Sequence, residues 1–128
     1  MKKYLLISLL FASQVMAADM RFVQVSDVRF SKDNNSSVLE KVVEDINKQK
    51  DVEFVVFTGD NINKPVKSDL EAFLTEAKKL NCPFYMVIGD HDVNKHKDLS
   101  KQEYIKTIKK QVRKYKFEKP NYTFEKNG

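Results

Sequence analysis

Three short apolar runs, each closed by an aspartate, constrain this chain more than anything else in it. Phe84-Tyr85-Met86-Val87-Ile88 stops at Gly89-Asp90-His91-Asp92. Phe54-Val55-Val56-Phe57-Thr58 stops at Gly59-Asp60-Asn61, and Arg21-Phe22-Val23-Gln24-Val25-Ser26 runs into Asp27. Apolar runs of this length bounded by turn residues read as buried strands. Gly89 is expected to let the backbone bend sharply where its strand ends. If the strands lie parallel in one sheet, Asp27, Asp60 and Asp90 meet at its carboxyl edge, where open α/β sheets place their sites. Carboxylates that close repel one another unless a cation sits among them.

The segments between the runs are helical. Ser37-Val38-Leu39-Glu40 and Ser68-Asp69-Leu70-Glu71 each read as a capping box. Leu39, Val42, Val43 and Ile46 then recur at helical spacing, as do Leu70, Phe73, Leu74, Ala77 and Leu80. The second run, Phe54–Thr58, is apolar throughout, as expected of a parallel strand covered on both faces. The pattern is β-α-β-α-β, which implies an α/β fold with right-handed crossovers. A third helix is expected over residues 101–115, with Tyr104, Ile105, Ile108, Val112 and Tyr115 on its apolar face. Lys106, Lys109, Lys110, Arg113 and Lys114 lie opposite and read as a solvated face. Beyond it, Asn121-Tyr122-Thr123-Phe124-Glu125 reads as a strand. Asn127-Gly128 is a hairpin-turn dipeptide with no returning strand after it, so the chain reads as cut short.

With 128 residues the chain suits one small domain. Lys2-Lys3, the eight-residue apolar core Tyr4–Phe11 and Val15-Met16-Ala17 form a basic region, a short hydrophobic region and a cleavage signature. Residues 1–17 are therefore expected to be a cleaved secretory signal, and 19–128 the domain. The apolar core is too short to span a bilayer, so no transmembrane helix is expected after cleavage, and the product would be secreted or periplasmic. Without Lys2 and Lys3, 21 basic residues face 18 acidic ones, about +3, a balance with no nucleic-acid signature. Cys82 has no partner for an internal disulfide and reads as a small buried apolar residue.

Asp27, Asp60 and Asp90 offer oxygen ligands to hard or borderline divalent ions. His91 has two open readings: a metal ligand, or a group that stabilises or protonates a leaving group. Asp92 is placed to orient His91 by accepting its second N–H. Arg29 cannot ligate a metal and stands as a phosphate contact. Such a set suits metal-assisted hydrolysis of a phosphate ester, because the ion acidifies water and offsets phosphoryl charge. A single strand-end aspartate is more often a turn or cap residue than a ligand. Three in order, with Gly-Asp-His-Asp at the last, are not demanded by turn chemistry.

In these motifs the chain resembles the N-terminal half of a calcineurin-like metallophosphoesterase. That family's pattern is Asp-x-His, Gly-Asp-x-x and Gly-Asn-His-Asp/Glu, each after a strand. The matches are Asp27-Val28-Arg29, Gly59-Asp60-Asn61-Ile62 and Gly89-Asp90-His91-Asp92, with 33 and 30 positions between successive aspartates. The resemblance implies an α/β/β/α sandwich of two facing sheets, of which this chain supplies the β-α-β-α-β half. It implies two divalent ions, manganese, iron or zinc, and a small-molecule or lipid phosphate ester as substrate. Asp27 would bind the first ion, Asp60 would bridge both and Asp90 would bind the second. His91 would contact the phosphoryl group, with Asp92 behind it. Two departures stand out. Arg29 replaces a histidine ligand of the first ion, and Asp90 replaces an asparagine. The family's later histidines are missing; His96, the other histidine, reads as exposed. The alternatives are an inactive remnant or metal- or phosphate-binding module on the same scaffold, and a secreted α/β domain whose acidic strand ends are structural only.

Overall fold

Aromatic and β-branched side chains dominate the three runs, and they form three parallel strands in the computed structural model, which describes residues 19–94, 98–112, 123 and 125. The order along the chain is β1 (Phe22–Val25), α1 (Ser36–Lys48), β2 (Phe54–Phe57), α2 (Lys67–Ala77), β3 (Phe84–Met86) and α3 (Lys101–Gln111). The sheet order is β1-β2-β3, with Val23 opposite Val55 and Val55 opposite Phe84. Each strand therefore pairs with the next in sequence. Successive crossovers of one hand, moving in one direction across a sheet, put their helices on the same face.

That register sorts the side chains. Val23, Val25, Val55, Phe57, Phe84 and Met86 share one face, and all pack in or against one core cluster. The helices complete it with Leu39, Val43 and Ile46 from α1, Leu70, Phe73, Leu74 and Ala77 from α2, and Tyr104 and Ile108 from α3. Phe57 is the hub, with edge-on contacts to Phe73 at 5.1 Å and Phe84 at 5.8 Å. The opposite face carries Phe22, Gln24, Phe54, Val56, Tyr85 and Val87. Phe22 and Val87 are exposed there, and Val56 and Tyr85 are half-buried. Phe54 is buried, between a stacked Phe22 and an edge-on Tyr85. The expectation that β2 is covered on both faces is met on the helix side only: on the other face Phe54 is shielded by its aromatic neighbours, and Val56 stays half-buried.

The helix starts differ from the expected caps. α1 begins at Ser36 and α2 at Lys67, so Ser37 and Ser68 are second-position residues. The actual N-caps, Asn35 and Val66, make no side-chain cap. The Asn35 side chain instead ties down the preceding loop. Its Oδ1 accepts from the Ser31 N–H at 2.6 Å and its Nδ2 donates to the Arg29 carbonyl at 3.0 Å. The capping box is at α3, where Ser100 Oγ accepts from the Glu103 N–H and the Glu103 carboxylate accepts from Ser100. α3 runs to Gln111, and residues 113–115 of the expected helix lie outside the described residues. The Val112 N–H still donates to the Ile108 carbonyl, its φ of −115° and ψ of 62° are not helical, and its side chain is buried. Cys82 is half-buried against the core rather than fully inside it, and burial pushes its thiol pKa up. No helix among the described residues is long and apolar enough to cross a membrane. Residues 1–17, His96 and all of the expected strand 121–125 except Thr123 and Glu125 lie outside the described residues; those two are not in a strand.

Candidate metal centre

The ends of β2 and β3 meet glycine against glycine. A Cβ built on Gly59 would sit 3.2 Å from Gly89 Cα, and one on Gly89 would collide with the Asp60 backbone nitrogen and side chain. Gly59 also has φ of 109°, which side-chain-bearing residues rarely adopt. The positive φ falls on Gly59, while Gly89 serves by having no side chain. The chain does turn there, with the Asp92 N–H donating to the Gly89 carbonyl at 3.3 Å, and the missing side chain adds close approach. The bare backbones let the Asp60 and Asp90 loops touch.

Beyond β1 the chain keeps running beside the loop that follows β2. The Asp27 N–H donates to the Gly59 carbonyl at 3.2 Å, Arg29 N–H to Asp60 at 2.9 Å and Phe30 N–H to Asn61 at 2.9 Å. An isolated parallel bridge, Phe30 to Ile62, ends this extension. Asp27, Arg29 and Asp60 all hold positive φ, of 54°, 46° and 50°. Left-handed backbone at non-glycine residues costs free energy and tends to gather at functional sites. Among the described residues four non-glycines hold positive φ, and three of them belong to this cluster.

The loop after β3 closes the group. The His91 N–H donates to Asp60 Oδ1 at 3.3 Å. Asp60, Asp90 and His91 each offer one ligand atom, and the three atoms lie within 4.8 Å of one another. His91 Nδ1 faces the Asn63 carbonyl at 3.2 Å. A carbonyl only accepts, so in the neutral ring Nδ1 carries the hydrogen and Nε2 keeps the lone pair that a metal needs. Two carboxylates and an imidazole fit a borderline divalent ion and leave coordination positions open.

Three expected residues stand apart. Asp27 is not in that group. Its Oδ2 accepts from Ser26 Oγ at 2.5 Å, and its Oδ1 lies 3.9 Å from Arg29 Nε. Arg29 is directed at carboxylates: Nη2 donates to Asp60 Oδ2 at 3.1 Å. Asp92 does not orient His91. It is fully buried, and its Oδ1 accepts from the Ile62 N–H at 2.9 Å. Its Oδ2 accepts from the Gly89 N–H at 2.8 Å and Asn61 Nδ2 at 2.9 Å. Asp92 therefore ties the two loops together from beneath. Burial pushes its carboxyl pKa up, and those N–H groups pull it part of the way back. The Asn63 carbonyl takes the orienting part that sequence reasoning gave Asp92. Asn61 was missed as well. It is buried, and its Nδ2 also meets the Val87 carbonyl at 2.9 Å and the Tyr104 hydroxyl at 3.1 Å. Its place directly after Gly59-Asp60 was the available signal.

A parallel sheet that gathers carboxylates and an imidazole at its carboxyl edge defines an α/β protein with a candidate metal site. The calcineurin-like phosphoesterase family model matches residues 20–127. The chain belongs to that family, and metal-dependent phosphate-ester hydrolysis is its family-level activity. No match is found among the curated proteins.

Proposed function

We propose that this chain hydrolyses phosphate esters, monoesters or diesters, with a divalent ion held by Asp60, Asp90 and His91 through Nε2. The observation that carries this reading is the convergence of one ligand atom from each of the three residues within 4.8 Å. A bound ion supplies Lewis-acid chemistry toward the phosphoryl oxygens and water. The chain's own residues set the geometry. Asp60 is fixed from two sides, by Arg29 at Oδ2 and by the His91 N–H at Oδ1. The Asn63 carbonyl holds the His91 ring, and Asp92 locks the Asp60 and Asp90 loops in register. Of the two ions that the family resemblance implies, this is the second. The basic start, apolar core and Ala17 support export before cleavage, to the periplasm or outside the cell.

A second reading, a metal-binding module without turnover, is favoured by Arg29, which stands where the family has a histidine. Turnover of an aryl phosphate with Mn²⁺ separates the two. With hydrolysis, Asp60→Asn abolishes both Mn²⁺ binding and turnover. His91→Ala loses the ion if His91 is a ligand; it keeps the ion and loses turnover if His91 contacts the phosphoryl group. Mn²⁺ binding unchanged in Asp60→Asn would sink the site.

A further inference from the structure

The family resemblance gives Asp27 and Asp60 a shared ion, with a histidine at position 29 as its nitrogen ligand. Position 29 is an arginine here, and its guanidinium lies against those same two carboxylates. Nη2 is 3.1 Å from Asp60 Oδ2, and Nε is 3.9 Å from Asp27 Oδ1. We propose that the Arg29 guanidinium is the resident cation between Asp27 and Asp60, so that this chain takes one divalent ion, at Asp60, Asp90 and His91, instead of two. The inference rests on the metal-site reading above and settles its stoichiometry.

Four points support it. A guanidinium has no lone pair to offer a metal and stays protonated at any ordinary pH. Its charge therefore excludes a second cation from the position it fills. The charges also match, since one guanidinium and one divalent ion together carry as much positive charge as Asp27, Asp60 and Asp90 carry negative.

The arginine is also pinned. Its N–H donates to the Asp60 carbonyl at 2.9 Å, its carbonyl accepts from Asn35 Nδ2 at 3.0 Å, and its φ is 46°. These bonds hold the Arg29 backbone beside the Asp60 loop, so its side chain starts from a fixed point next to both carboxylates. Finally, the exposures differ across the cluster. The Asp60 side chain is 13% exposed, against 46% for Arg29 and 62% for Asp27. The pair that matters, Arg29 with Asp60, is the less screened one. Asp27 is left as an outlying carboxylate that helps hold the guanidinium.

The test is Mn²⁺ binding to the purified chain, read by calorimetry for stoichiometry and by electron paramagnetic resonance for spin coupling. The native protein is expected to take one Mn²⁺ with an uncoupled six-line spectrum. Arg29→His is expected to take a second Mn²⁺, with the spectrum altered by coupling between neighbouring ions. Adding Asp27→Asn to Arg29→His is expected to return the count to one. Two coupled ions in the native protein would overturn the inference while leaving the metal site intact. So would a count that stays at one in Arg29→His. No Mn²⁺ in either protein would overturn the metal-site reading itself, and the inference with it.

Discussion

Gly89 has no room for a methyl group, because the Asp60 backbone nitrogen and carboxylate occupy the space where a Cβ would point. Gly89→Ala must push Asp60 away from Asp90 and His91. Mn²⁺ affinity is expected to fall about 10–100-fold, the range seen when groups supporting metal ligands are disturbed. Calorimetric titration of the folded variant checks this, and unchanged affinity would show that the glycine contact does not set ligand spacing. The aspartates at the strand ends were legible in the sequence because each follows an apolar run. The direction of each side chain was not. Asp92 follows His91 directly, yet it turns inward to N–H groups of Gly89, Asn61 and Ile62, two of them about thirty residues away in sequence. Neighbourhood along a chain does not fix which way a turn residue faces. Arg29 likewise reads as a phosphate contact until the packing of two loops sets it against Asp60.

The three helices were placed by their apolar spacing, and that spacing held: Leu39, Val43, Ile46, Leu70, Phe73, Leu74 and Tyr104 are all buried. Their starts were less legible. Two Ser-x-x-Glu patterns lie just inside α1 and α2, where loop packing starts the helix one residue before the serine. The third such pattern, Ser100 to Glu103, is the working cap. Its hydrogen bonds to Ser100 hold the Glu103 carboxyl pKa below the usual 4.5. A carboxyl lowered in the folded state stabilises the fold above its unfolded value, and the benefit is lost as pH falls through the folded one. Ser100→Ala should therefore lower the melting temperature at pH 7, and the difference from the native protein should shrink as the pH is taken well below 4.5. Thermal melts at several pH values give the comparison. A difference independent of pH would mean that the Glu103 half of the cap contributes nothing.

At the scale of the whole molecule, the sheet has one helix-covered face and one that the described residues leave largely open. Phe57 is fully buried at the centre of the covered face. Phe57→Ala should cost about 3–5 kcal/mol, through lost burial and the cavity left among Phe73, Phe84 and their neighbours. Val87 lies 45% exposed on the other face, so Val87→Ser should change stability by no more than about 0.5 kcal/mol. Urea denaturation of both variants measures the contrast, and a large loss in Val87→Ser would mean that the open face is packed. The strand–helix alternation made this architecture readable from the sequence. The uncovered face was readable only through the family resemblance, because an apolar run looks the same whether one face or both are covered.

The strand order has a consequence for the time axis. Each strand pairs with its predecessor, so the sheet grows in the direction of synthesis. The Arg29–Asp60 pair becomes available once β2 and the loop after it have emerged, about thirty residues before Asp90 and His91. Asp60, Asp90 and His91 come together only when β3 has paired with β2, so ion binding reports that β3 has docked.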